Sequence, residues 1–234
     1  MAKDPRETLN NLKTPKDCQV FADNCNRNGR KDLAEEAIQK QIHLIAQKGE
    51  SIVNTCLSKS LDSGSYFLLS DMTFQTKNNS TTQIDHIVIS FYGIFIIETK
   101  HYKGFIFASE SSKIWTQTLN AFTKTKFHNP IHQNYGHIQA LSEILNLDDS
   151  YFHSLVVFSG DASFKKGIPS GVFVNSDYIK YIQLQETHVL SESQVFKIAL
   201  KLESSALEKG YETSKLHGEN IKKSITRHLK QGLT

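Results

Sequence analysis

A chain of 234 residues, 38% hydrophobic and 22% charged, suits one sizeable core with a small accessory module, or two small domains. Its unbroken apolar runs are only a few residues long and its N-terminus, Met-Ala-Lys-Asp-Pro-Arg-Glu, lacks an apolar signal region, so neither a membrane span nor a secretory leader is expected. The net charge of +3 does not by itself indicate nucleic acid, and three cysteines (Cys18, Cys25 and Cys56) without paired metal-ligand spacing read as reduced thiols of a cytoplasmic protein.

Helices come first along the chain. Thr14, Pro15 and Asp17 make a cap hydroxyl, a proline at the first helical position and an acid in the first turn. Cys18, Phe21, Ala22 and Cys25 then form an apolar stripe at helical spacing. Asn26 to Gly29 breaks the pattern, and a second helix is expected from about Lys31 to Gln47. Residues 1–48 therefore read as an accessory helical hairpin, and residues 49–234 as the core domain with C-terminal helices. A third helix is expected from Gly49-Glu50 through Leu61, and Tyr66 to Phe74 reads as a strand. A polar loop over Thr76 to Thr82 follows, then two β-branched runs within residues 83 to 104. Phe105 to Ala108 is expected to extend the same sheet, with Ile114 to Thr118 as a further strand. Asn129-Pro130 starts a helix that runs from about Ile131 to Leu145. Strands at Ser154 to Phe158 and Gly171 to Val174 come next. Helices at about Ser176 to Ile182, Ser191 to Glu208 and Ile221 to Lys230 close the chain. This order gives an α/β fold with a mixed β-sheet flanked by helices.

The β-branched pair carries an unusual charge pattern. Asp85 lies in the first run, and Glu98 and Lys100 lie in the second. A turn over residues 90 to 93, with Phe91 and Tyr92 at its centre, makes antiparallel partners sum to 183 and sets Asp85 across from Glu98. Lys100 shares the face of Glu98, because side chains alternate with period two. Buried charges need one another or a ligand. Two carboxylates beside an ammonium suit Mg²⁺, which prefers oxygen ligands and is usually held by one or two carboxylates plus phosphate oxygens. A buried salt-bridge network is the bland alternative.

The string Gln-Ile-Asp-His, followed by Gly-Ile-Phe-Ile-Ile-Glu-Thr-Lys and Lys-Gly, resembles the NERD (nuclease-related domain) family of bacterial proteins, within the PD-(D/E)xK nuclease superfamily. Gly49-Glu50 and Asn129-Pro130-Ile131-His132-Gln133 are similar to further motifs of that family, and the resemblance spans roughly residues 48 to 160. Ile84 stands where many superfamily members have proline. The resemblance implies a restriction-endonuclease-like fold and an Mg²⁺- or Mn²⁺-dependent nuclease that cuts DNA, endonucleolytically. Asp85 and Glu98 would hold the metal and Lys100 would act beside them. Glu50 would be an additional acid, although it also fits a plain N-terminal helical acid, and Gln133 would stand near the site. Gln83 and Gln117 are weaker candidates for contact with the substrate backbone.

The expected partner is nucleic acid, DNA before RNA, with a homodimer as a possible assembly and no membrane. Lys100 to His137 carries five lysines and four histidines against Glu110 alone, and Lys209 to Lys230 carries six Lys/Arg against Glu212 and Glu219. Either stretch can contact phosphates or be a solvated basic face. His86 is expected to be a packed core histidine, and His128, His132 and His137 lack an acid or cysteine to complete a zinc set. Trp115 and the phenylalanines read as core, so no single-strand stacking signature separates from core aromatics. An idle nucleic-acid-binding or regulatory module of the same fold is the alternative from another class.

Overall fold

The computed structural model describes residues 4–120 and 122–210, together with Thr213, Leu216 and His217. The helix expected over Ile221 to Lys230 lies outside the described residues. The chain divides into two compact units, Met1–Ile52 and Val53–Thr234.

The first unit is helical. Helices α1 (Pro5–Asn10) and α2 (Pro15–Arg27) each place proline in the first turn, where its missing N–H costs nothing. The Asp4 side chain caps the Arg6 amide and Thr14 caps the Asp17 amide. Helix α3 (Lys31–Ser60) starts in this unit, and its Leu33, Ala34 and Ala37 pack with Leu9, Ala22 and Cys25. Lys40 Nζ donates to the carbonyls of Leu9 and Asn10 at 2.9 and 2.8 Å, satisfying acceptors that the end of α1 leaves open. Separate helices at Lys31 to Gln47 and Gly49 to Leu61 were expected, but α3 is continuous. A helical glycine costs only about 1 kcal/mol against alanine, so Gly49 does not interrupt strong helix formers on both sides.

The second unit holds two mixed sheets. The first has the order β1 (Tyr66–Gln75), β2 (Thr81–Ser90), β3 (Gly93–Lys100), β7 (Phe152–Phe158), β9 (Val172–Val174). Strands β1, β2 and β3 pair antiparallel, while β7 runs parallel to both β3 and β9. The second sheet has the order β6 (Lys124–His128), β5 (Ile114–Thr118), β4 (Gly104–Phe107), β8 (Ala162–Phe164). The sequence alone suggests that β4 extends the first sheet, but it lies within the second. Gly104, at φ 78°, redirects the chain after β3, and a Cβ there would collide with the Thr118 carbonyl. Strands β6 and β8 have no counterpart in the sequence reading. β6 reads Lys-Thr-Lys-Phe-His, with one apolar residue and therefore no visible period.

Strand β3 is buried along its length except at Lys100, which explains its uninterrupted apolar run. Ile94 and Ile96 face one layer with Ile87 and Ile89, covered by Ile138 and Leu141 of α4 (Pro130–Leu145) and by Val195, Ile198 and Leu202 of α6 (Glu192–Ser205). Phe95 and Ile97 face the other layer, with Val53 and Leu57 of α3 and Tyr178, Ile179 and Ile182 of α5 (Asp177–Gln183). Each fully buried aliphatic side chain contributes roughly 1.5–3 kcal/mol, so this sandwich fixes the register of β2 on β3. Ile106 and Trp115 of the second sheet pack onto Val156, Phe158 and Val172. The architecture, mixed sheets flanked by helices with a helical N-terminal region, is that of the α/β class read from the sequence and agrees with a restriction-endonuclease-like fold. Among the described residues, no helix is long and apolar enough to cross a membrane.

Candidate active site

The β2–β3 register runs from Ser90 opposite Gly93 to His86 opposite Ile97. Continued by one residue, it sets Asp85 across from Glu98, beyond the last paired position. There Asp85 Oδ2 accepts the Thr99 amide at 2.7 Å, a charge-assisted bond that orients the carboxylate. Alternation along β3 puts Glu98 and Lys100 on the side of Ile96, the face covered by α4, and Asp85 is near enough for its charge to act on Lys100.

Glu98 is 3% exposed and Lys100 18%, so both charges must be satisfied inside the protein. Lys100 Nζ donates to Glu98 Oε1 at 2.5 Å and to Gln133 Oε1 at 3.3 Å. On the other side of the carboxylate, His137 Nε2 lies 3.2 Å from Glu98 Oε2, and its Nδ1 lies 2.6 Å from the Thr82 hydroxyl. An ionised carboxylate only accepts, so the proton of that contact sits on His137 Nε2. Burial alone raises the Glu98 carboxyl, but the Lys100 charge, followed by the His137 bond, outweighs it and brings Glu98 down to about 2. Burial alone would lower the Lys100 ammonium, yet the charges of Glu98 and Asp85 leave it above its ordinary value. Both groups are therefore ionised at neutral pH.

Helix α4 is positioned for this contact by two asparagines. Asn129 caps it through Ile131 N at 2.9 Å and donates to the Glu110 and Ser112 carbonyls at 3.0 and 2.8 Å. Asn134 is fully buried and donates to the Ile96 carbonyl and the Ser154 hydroxyl, both at 2.9 Å. One helical turn apart on either side of that anchor, Gln133 and His137 are delivered to the same charged cluster.

Glu50 is within α3. Gln83 donates to Asp71 Oδ1 at 2.6 Å. Gln117 donates to the Lys103 carbonyl at 2.8 Å, which makes it a strap on the β3–β4 connection. His86 is buried. His128 is exposed on β6, and His132 Nε2 lies 2.9 Å from the Glu110 carbonyl. Among the described residues, no group of three or more His, Cys, Asp or Glu is placed to hold a metal ion.

The model of the nuclease-related domain family matches residues 45–159. The chain carries a nuclease-related domain. An uncharacterized protein of Bacillus anthracis is 47% identical to it over 97 residues, which is 42% of this chain and 45% of that protein. The chain thus spans less than half the length of this curated relative. No solved structure matches the chain.

Within the nuclease-related domain, the sequence does not place two residues at this cluster: His137, read only as part of an incomplete zinc set, and Asp71. His137 follows Gln133 by four residues, a spacing that places both on one helical face, and that was the available signal. Asp71 lies between the partnered pairs Ser70–His86 and Met72–Ile84, at the register position opposite Asp85, and has a φ of 52°. A non-glycine residue in that region is uncommon. Nothing in its local sequence marks it.

Proposed function

We propose that the nuclease-related domain hydrolyses phosphodiester bonds within DNA strands, using Mg²⁺ or Mn²⁺ held by Asp85 and Glu98. The observation that supports this reading is the convergence of Asp85, Glu98 and Lys100 at the end of the β2–β3 pair, with Asp85 bound to the Thr99 amide and Lys100 Nζ 2.5 Å from a buried Glu98. The donor set fits such an ion. Two carboxylates are what Mg²⁺ commonly takes from protein, leaving its other positions to water and phosphate. Glu98 is anionic at neutral pH, and its two oxygens, with about four lone-pair sites, retain acceptor capacity beyond the bonds from Lys100 and His137. When bound, the ion lowers the pKa of a water and offsets charge building on the phosphate.

The chain's own residues have distinct tasks. The Thr99 amide holds Asp85 in place before substrate arrives, so less orientation entropy is lost at the reacting geometry. His137 holds Glu98 by its second oxygen, leaving the carboxylate anchored when Lys100 turns toward substrate. Lys100 supplies a positive charge to the phosphate oxygens and orients the attacking water. Gln133 shares the Lys100 ammonium with Glu98 and sets its resting position.

The test is incubation of the purified chain with supercoiled plasmid in Mg²⁺, Mn²⁺ or EDTA, beside Asp85→Ala and Lys100→Ala. Nicking that needs the metal and falls by about 10²–10³ in either variant, the usual cost of losing one electrostatic contributor, supports the proposal. Equal nicking by all three proteins removes it.

A further inference from the structure

Exposure separates two phenylalanines from the core aromatics. Phe105 and Phe107 on β4 are each 43% exposed, whereas Ile106 between them is fully buried. Register extends their face across the sheet. Phe105 pairs with Thr118 and Phe107 with Thr116 on β5; those threonines pair with Lys124 and Lys126 on β6. Directly paired residues share a face, so the outer surface of the second sheet carries a pair of aromatics, a row of threonines and a row of lysines. His128 continues the basic row opposite Ile114. At the opposite edge, just past β8, Lys165 Nζ sits 3.6 Å above the centroid of the Phe105 ring. No acidic residue occupies an outward position on any of the four strands. The inward positions, Ile106 and Trp115, belong to the core beneath.

From this face we infer that the second sheet is a platform for a single nucleic-acid strand, with bases stacked on Phe105 and Phe107 and phosphates against Lys124, Lys126 and Lys165. Three features single out this occupant. Exposed aromatics interleaved with cations match what single strands require, because every base has a π-face and every linkage a negative charge. The rings stand roughly 7 Å apart along β4, far enough for each to receive its own base. The Lys165 ammonium occupies one face of the Phe105 ring, and an exposed cation–π contact is weak enough to yield to a stacked base. A duplex hides its base faces inside the helix and can use only the lysines. Along the chain the platform follows closely on β3, which ends at Lys100 while β4 begins at Gly104. The inference deepens the proposed function by narrowing its substrate to single-stranded or locally opened DNA, and it rests on that reading only for what happens to the strand afterwards.

The test reads binding without cleavage. Fluorescence anisotropy of a labelled oligothymidylate is titrated with the full chain in EDTA at several salt concentrations, beside a duplex of equal length. The variants are Phe105→Leu/Phe107→Leu and Lys124→Ala/Lys126→Ala, whose exposed positions leave the core intact; circular dichroism confirms folding. The phenylalanine pair is expected to weaken single-strand binding roughly 25-fold or more, two stacked bases at about 5-fold or more each, with duplex binding unchanged. The lysine pair is expected to lower the slope of log K against log salt by about 1.4. The inference is overturned if the strand does not bind, if binding ignores both pairs, or if the phenylalanine pair instead abolishes self-association of the chain in light scattering. Binding by a Lys100→Ala protein that fails to cut plasmid upholds the platform whatever becomes of the nuclease reading.

Discussion

Replacing Lys100 by alanine removes the nearest cation from a carboxylate that is 3% exposed. Two routes give the cost. A carboxyl carried from 4.5 to about 2 by its surroundings represents about 3 kcal/mol, at about 1.4 kcal/mol per pH unit. Breaking a buried ion pair by removing one partner costs roughly 3–5 kcal/mol in general. The retained His137 bond puts the expectation at the low end, about 3 kcal/mol at pH 7. The sign follows from the direction of the shift. The folded-state value of Glu98 lies below its unfolded value, so its contribution is fully present above 4.5 and is lost as pH falls toward about 2. In Lys100→Ala the burial effect, which raises the carboxyl, is no longer opposed by the ammonium. The stability gap between wild type and variant should therefore be widest near neutral pH and close on acidification. Urea unfolding of the metal-free proteins, followed by fluorescence of the single tryptophan, the buried Trp115, measures this at a series of pH values. A gap that is absent at pH 7, or constant down to the acid range, refutes the assignment of the pair as what keeps Glu98 ionised.

Three further outcomes are expected. Asn134→Ala leaves the Ile96 carbonyl and the Ser154 hydroxyl without their donor and should lower unfolding free energy by about 2–4 kcal/mol; a loss under 1 kcal/mol by denaturant titration counts against its anchoring role. His137→Ala should reduce plasmid cleavage about 10- to 150-fold, the equivalent of one charge-assisted bond, while His137→Gln restores part of it; equal rates in both variants would contradict the positioning role. Burial holds the His153 imidazole below the ordinary histidine range, so it stabilises the fold above pH 6.5 and loses that contribution as pH falls. His153→Gln should accordingly show a shallower fall in stability between pH 7 and 5, and parallel curves would show that His153 does not titrate in this way.

What could be read in advance follows the range of the forces involved. The β2–β3 hairpin was legible because strand period and a short turn are local: Ser90 opposite Gly93 and His86 opposite Ile97 follow from where the turn sits. Helix starts at Pro15 and Pro130 were legible for the same reason. The partners of Glu98 were not all legible, because His137 meets it through the docking of α4, a contact 39 residues apart. The second sheet was misread as an extension of the first, since the redirection at Gly104 depends on a close approach to Thr118 that no neighbouring residue announces. Phe105 and Phe107 looked like core for a related reason: alternation assigns two faces to a strand without telling which one is covered. Gly49 misled in the opposite direction, its modest local cost being overridden by the helix around it.

The account's central claim, that Asp85 and Glu98 are the metal-holding carboxylates of a hydrolytic site, is tested most directly by a crystal soaked in Mn²⁺ and measured at the manganese absorption edge. The account predicts an anomalous peak bound by both carboxylates, absent from a crystal of the Asp85→Ala variant. A peak elsewhere, or none while Lys100 still clasps Glu98, would contradict it.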